Sequence, residues 1–163
     1  MILSPASAAD LADLRALHHA SWHNAYRGMV PDTALGAPLD DHMAHTWASL
    51  PGGITLARDN GRLLGFVRLK PHKGWPYVDN LHVAPDLRGA GVGRALMAVA
   101  AAQADGRGRL WLTVLAANSG ARRFYARLGG VESARITETL LGTSVTTFPV
   151  IWAHLGALKR ACR

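Results

Sequence analysis

The chain predicts an α/β (α+β) fold, and three stretches carry that prediction. Residues 77–97, YVDNLHVAPDLRGAGVGRALM, read as an apolar strand, a stop at Ala84-Pro85, a loop holding Gly89, Gly91 and Gly93, and an amphipathic helix. Residues 109–130 repeat the order: an apolar strand over 109–115, then a helix with Ala121, Phe124, Tyr125 and Leu128 at i, i+3, i+4 and i+7. Residues 54–70 and 131–152 read as β-hairpins, the first marked by Asn60-Gly61.

Taken in order, residues 2–3 form a short strand stopped by Ser4-Pro5. Asp10 offers an N-cap to a helix with Leu11, Leu14, Leu17 and His18 at helical spacing, running on to Gly28. Within it Trp22 and Tyr26 lie four apart and share a face, which suits either core packing or substrate contact. Residues 40–50 predict a second helix with Met43 and Trp47 on one side, ended by Pro51-Gly52-Gly53. The pairs His19/His23 and His42/His45 could each put two imidazoles on one face. No cysteine or H-E-x-x-H pattern accompanies them, so packing or solvated histidines are expected and no metal.

Strands over 54–58 and 62–70 follow, with Gly65 marking a bulge. Residues 71–76 read as a loop carrying His72, Lys73 and Trp75, expected beside the acceptor side of a site. On the strand over 77–83, alternation puts Tyr77, Asp79, Leu81 and Val83 on one face and Val78, Asn80 and His82 on the other. An acid there is costly to bury alone, so Asp79 faces an open cleft or is well hydrogen-bonded. After the glycine loop, Val92, Leu96, Val99 and Gln103 share a helix face. Ala116-Ala117-Asn118 ends the next strand, Ser119-Gly120 starts a helix and Gly129-Gly130 closes it. The last hairpin joins 131–141 to 145–152 through Gly142-Thr143-Ser144, and Pro149 argues for an edge or a bulge.

With 163 residues and 49% hydrophobic side chains, the chain suits one domain over 1–163. Its net charge of +7 fits an anionic small molecule. The arginines, among them Arg107, Arg109, Arg122, Arg123 and Arg127, are scattered with no basic tail or recognition helix, so no nucleic-acid partner is expected. Cys162, the only cysteine, excludes an internal disulfide. No apolar run approaches the ~20 residues of a membrane span, and Met1-Ile2-Leu3-Ser4-Pro5 lacks a signal-peptide pattern. The expectation is a cytoplasmic protein without a membrane partner.

A strand leading through glycines into a helix presents unpaired N–H groups at the positive end of the helix dipole, which is an anion site. A Walker loop needs G-K-[ST], and here Arg94-Ala95 follows Gly93. The 89/91/93 spacing also departs from the G-x-G-x-x-G dinucleotide fingerprint. What remains, Arg88-Gly89-Ala90-Gly91-Val92-Gly93, matches R/Q-x-x-G-x-G/A and resembles the acetyl-CoA-binding motif of the GCN5-related N-acetyltransferase (GNAT) superfamily. Leu81-His82-Val83-Ala84-Pro85 resembles that family's preceding strand. The block N-S-G-A-R-R-F-Y-A-R-L-G resembles its second motif, N-x-x-A-x-x-x-Y-x-x-x-G, with Asn118 and Tyr125 in place and Gly130 where a phenylalanine usually follows.

The resemblance implies a mixed, mostly antiparallel twisted sheet of about seven strands with strands 4 and 5 splayed, flanked by about four helices. It implies acetyl-CoA as co-substrate, its pantetheine arm lying between those strands and its cofactor-binding residues drawn from Leu81, His82, Val83, Arg88, Gly89, Ala90, Gly91, Val92, Gly93, Arg94, Asn118, Ala121 and Tyr125. The backbone of His82 and Val83 would bond the acetyl carbonyl and the pantetheine, the amides from Gly89 to Arg94 the pyrophosphate, and the Asn118 side chain the pantetheine. Tyr125 would be the general acid that protonates the departing thiolate. Many members carry a glutamate base on the strand over 77–83, but at that spacing this chain has Tyr77, which leaves Asp79 as the favoured base beside His82, Glu138 or a water chain.

The expected acceptor is a small-molecule or peptide amine, and a homodimer is compatible with the family. A protein N-terminal or lysine acetyltransferase, and a catalytically silent acyl-CoA-binding regulatory domain, stay open as alternatives.

Overall fold

Two-residue turns that only glycine and a few polar residues tolerate set the hairpins of this fold. In a computed structural model describing residues 1–163, Asn60 (φ 47°) and Gly61 (φ 80°) join β2 (Ile54–Asp59) to β3 (Arg62–His72). Lys73 (φ 51°) and Gly74 (φ 80°) join β3 to β4 (Trp75–Val83) in the same way. The stretch over 71–76 is therefore the tip of a long hairpin, where the sequence suggested a loop. Its ends pair directly, Pro71 with Pro76 and His72 with Trp75.

The remaining elements are β1 (Ile2–Pro5), α1 (Leu11–Ala25), α2 (Ala37–Thr46), α3 (Val92–Gln103), β5 (Leu110–Leu115) and α4 (Ser119–Arg127). They are followed by β6 (Val131–Glu132), β7 (Ile136–Leu140), β8 (Thr143–Trp152) and α5 (Leu155–Ala161). The sheet has eight strands in the order β1-β2-β3-β4-β5-β8-β6, with β7 also on β8. Both the strand and the α-helix counts exceed expectation by one. The first arm of the last hairpin is broken into β6 and β7, and α5 follows β8. The turn between β7 and β8 sits at Leu141 (φ 50°) and Gly142 (φ 76°), one residue ahead of the predicted triplet.

Pro149 is not on an edge strand, since Thr113 of β5 opposes it. It lies on the other side at the break between β6 and β7, where its carbonyl accepts from the Ser133 N–H at 2.8 Å. A strand residue without an N–H is tolerated where the neighbouring ladder is interrupted.

Each sheet face carries its own core. On one side α1 and α2 bury Leu14, Leu17, Leu39 and Met43 against Leu56 and Phe66. On the other, α3 and α5 bury Leu96, Met97 and Leu158 against Val67, Val78 and Leu112. Burying a leucine or methionine fully contributes about 1.5–3 kcal/mol, so Leu96 and Met97, both 0% exposed, hold α3 firmly against the strands.

Two bulges adjust the centre of the sheet. One, between Ala57 and Arg58 of β2, shifts the register beside Gly65. There a Cβ would sit 2.6 Å from the His82 carbonyl oxygen, so glycine permits β3 and β4 to close up. The second leaves Asp79 without an opposite residue, because Arg68 pairs with Asn80 and Leu69 with Val78. Simple alternation fails at that point. Val78 joins Leu81 and Val83 on the α3 side, while His82 turns to α1.

Candidate active site

β4 and β5 are the only parallel neighbours in the sheet, and they meet at one registered pair, Tyr77 with Trp111. Beyond it they diverge, opening a cleft of about 900 Å³ between residues 78–83 and 112–115. The hairpin tip over 71–76 is not part of its lining. It packs at the closed end, where His72 stacks on Trp111 with centroids 5.2 Å apart.

The glycine loop forms one end of the cleft. Gly89 (φ 88°) and Gly91 (φ 85°) both take left-handed backbone, and a Cβ on either would meet nothing within 4 Å. They are needed for conformation rather than space. Gly91 caps α3, so the N–H groups of Val92, Gly93 and Arg94 begin a helix and have no intrahelical acceptor. The N–H groups of Gly89 and Gly91 have no backbone partner either. Ala90 differs: its N–H donates to the Leu87 carbonyl at 3.1 Å, and its side chain is exposed outside the cleft lining. Val92 contributes only its amide, since its side chain is 4% exposed in the α3 core. Arg88, Arg94 and Arg127 reach the same cleft and none has an ion pair. Five free amides and three uncompensated cations make a cradle whose chemistry fits a diphosphate.

Tyr125 of α4 and Asn118 at its N-terminus line the same cleft. Asn118 caps the helix, its Oδ1 accepting from the Ala121 N–H at 3.1 Å, and its NH2 has no partner in the protein. Tyr125 is half-buried in the cleft wall, and its hydroxyl makes no hydrogen bond within the protein. Burial, and then the neighbouring phenols of Tyr26 and Tyr77, push Tyr125 well above the usual tyrosine range. Tyr26, on the opposite wall, is pushed up to about 12, again mainly by burial.

The side of the cleft away from the glycine loop is built by α1 and the Asp79 bulge. Asp79 is paired with two cations, Arg68 Nη1 at 2.8 Å and Lys70 Nζ at 2.7 Å, and also accepts from Asn80 Nδ2 at 3.1 Å. It both lines the cleft and is well bonded, satisfying together the two alternatives its sequence position offered. His82 lies between Asn80 Oδ1 (3.2 Å from Nε2) and Ser21 Oγ (3.0 Å from Nδ1). Burial pushes His82 down to about 3; Asp79 opposes that shift and Arg88 adds to it. Glu138 lies on exposed β7, accepts from Thr147 Oγ1 at 2.8 Å and does not line the cleft.

Of the residues singled out from sequence, Asp79, Leu81, His82, Val83, Arg88, Gly89, Gly91, Gly93, Arg94, Asn118, Ala121 and Tyr125 all line this one cleft. Ser21, Arg68, Lys70 and Asn80 were not foreseen. The i, i+2 spacing of Asn80 and His82 on a strand was a readable signal, whereas Ser21 lies 61 residues from its partner. No group of three or more His, Cys, Asp or Glu side chains is placed to hold a metal ion.

Residues 14–130 match the Acetyltransferase (GNAT) family. A mycothiol acetyltransferase of Streptomyces coelicolor is 38% identical over 99 residues, 57% of this chain and 31% of that protein. The chain thus spans about a third of this curated relative's length. Among solved structures, a GCN5-related N-acetyltransferase of Rhodopseudomonas palustris superposes with a TM-score of 0.77 at 23% identity, over 94% of this chain and 95% of that one. An N-acetyltransferase of Thermoplasma acidophilum in complex with coenzyme A gives a TM-score of 0.67 at 18% identity, over 90% and 96%. These two likenesses are of fold.

Proposed function

The chain belongs to the GNAT acetyltransferase family, and on that premise we propose that it transfers an acetyl group from acetyl-CoA to a primary amine by direct attack. The observation that carries the reading is the opening between β4 and β5, with a diphosphate cradle at one end and an unbonded tyrosine hydroxyl in its wall. Acetyl-CoA supplies the activated acyl group; the protein positions it and manages protons.

In this reading Gly89, Gly91, Val92, Gly93 and Arg94 bind the diphosphate through their amides, with Arg88 and Arg94 adding charge. The cleft-facing backbone of Leu81, His82 and Val83 and the free NH2 of Asn118 orient the pantetheine arm beside Ala121. Tyr125 holds a proton for the departing sulfur, and its burial keeps the phenol protonated at neutral pH. An amine of ordinary basicity arrives mostly charged near neutral pH, so a proton must leave on the acceptor side. Asp79 lies on that side, but its pairing with Arg68 and Lys70 suits it to act through its neighbours. No residue in the cleft wall carries a free negative charge, so an amine of modest charge fits better than a polycation.

Two measurements on the full chain test the proposal. Calorimetry should show acetyl-CoA binding, and thiol release should follow with at least one of a panel of amino acids, polyamines, aminoglycosides and N-terminally free peptides. Binding without turnover across the panel would identify a silent acyl-CoA-binding protein. Failure to bind acetyl-CoA would remove the reading altogether.

A further inference from the structure

Hydrogen-bond directions around His82 follow from which atoms carry hydrogens. The carboxylate of Asp79 only accepts, so Asn80 turns its NH2 to Asp79 Oδ2 and presents Oδ1 to His82. That oxygen has no proton to give, so His82 Nε2 carries the ring hydrogen. Neutral imidazole then has a bare Nδ1, and Ser21 Oγ, 3.0 Å away, donates to it. The result is one directed chain, Ser21 to His82 to Asn80 to Asp79, anchored by Arg68 and Lys70 and beginning at the cleft wall.

We propose that Ser21 and His82 are the proton outlet for the acceptor amine, with Asn80 and Asp79 as positioning residues that hold the imidazole. This rests on the acetyl-transfer reading above. Ser21 Oγ takes a proton from the amine nitrogen while its own hydroxyl proton passes to His82 Nδ1. The electrons of that broken N–H bond form the new N–C bond, and the second proton that an amine arriving as ammonium must lose passes from nitrogen to water. The C–S bond breaks, its electrons leave with sulfur, and Tyr125 gives sulfur its proton. His82 is left as an imidazolium whose positive charge faces Asp79 through Asn80. Its proton returns through Ser21 to water, and water restores Tyr125, so no net proton is stored.

Aromatic and imidazole rings enclose the His82 side chain. Trp22 and His18 of α1 and Phe66 of β3 pack on its ring, His18 with centroids 4.3 Å apart. Of the charged groups that act on it, Asp79 favours the imidazolium and Arg88 opposes it, with Arg68 and Lys70 tempering Asp79.

Nitrogen-15 NMR of histidine-labelled full chain tests the geometry without any acceptor. It should show His82 as the Nε2–H tautomer, with the Nδ1 resonance moving toward a free imine position in Ser21→Ala. An Nδ1–H tautomer, or an Nδ1 signal indifferent to Ser21→Ala, would overturn the proposal.

The kinetic arm uses the fastest amine of the panel. Ser21→Ala should lower kcat by about tenfold or more at neutral pH with acetyl-CoA affinity kept, the loss shrinking as pH approaches the amine's own pKa. Ser21→Thr should restore most of kcat. Equal kcat in wild type and Ser21→Ala at every pH, or an acetyl ester found on Ser21 by mass spectrometry, would also overturn it. If wild-type protein fails to bind acetyl-CoA while the tautomer is as assigned, the transfer reading fails and the hydrogen-bond chain stands.

Discussion

Tyr125 illustrates how one side chain's setting decides its chemistry. A phenol already loses its proton only near pH 10, and burial beside Tyr26 and Tyr77 raises Tyr125 further. The acid form therefore persists across the range in which amines lose their own protons. Tyr125→Phe should lower kcat by about a hundredfold and leave acetyl-CoA affinity by calorimetry nearly unchanged. Wild-type kcat should show no fall assignable to this group below about pH 10. A variant that keeps full kcat would remove Tyr125 from the reaction. Gly130 is a residue whose role lies wholly in packing. A Cβ there would lie 2.5 Å from Val150 and 2.7 Å from the Trp152 indole, which is fully buried and donates to the Leu128 carbonyl at 2.9 Å. The indole fills the space beside this glycine. Gly130→Ala should cost about 1–3 kcal/mol in urea unfolding with little change in acetyl-CoA binding.

At the scale of elements, the glycine loop and α3 act as one unit, because the helix that offers its N-terminal amides is the one buried deepest in the sheet's second core. Gly91→Ala places a side chain at φ 85° with nothing in its way, so the strain is conformational, about 1–2 kcal/mol. The loop can relieve it only by turning the Gly91–Arg94 amides. The expected outcome is a small loss in Tm and a much larger loss of acetyl-CoA affinity; unchanged affinity would mean that the amides do not hold the diphosphate. This unit was fully legible in the chain, since three glycines between an apolar strand and an amphipathic helix specify local geometry. The hairpins were legible where Asn60-Gly61 announced a turn, and less so at Lys73-Gly74, where flanking prolines and polar side chains mimicked a loop. The Asp79 bulge was hidden because a bulge depends on what the partner strand does. Strict alternation therefore assigned Val78 to the wrong face, and the Ser21–His82 contact across two elements left no local mark.

For the molecule as a whole, an aromatic and imidazole cluster joins the α1–α2 core to the cleft, and this makes stability depend on pH. His18 is 1% exposed, accepts from Trp47 Nε1 at 3.1 Å and packs edge-on against Trp22. Burial pushes it down to about 2 and His82 down to about 3. Both are neutral in the folded state, while in the unfolded chain each takes up a proton near pH 6.5. Below that pH the unfolded state binds more protons, so stability falls as pH falls. The two histidines are in full effect above pH 6.5 and together cost about 2–3 kcal/mol per pH unit below it. The ion-paired carboxylates Asp10, Asp86 and Glu132, whose pKa values are lowered, lose their contribution only at more acidic pH, below the usual carboxylate range. Urea unfolding at pH 7.5, 6.5, 5.5 and 5.0 should show a plateau followed by a steep fall that begins before any carboxylate titrates. His18→Leu should flatten part of that slope even where it lowers the plateau. A stability curve level from pH 7.5 down to 5 would mean that these imidazoles are solvated, and that the cluster beside the cleft is not packed as described.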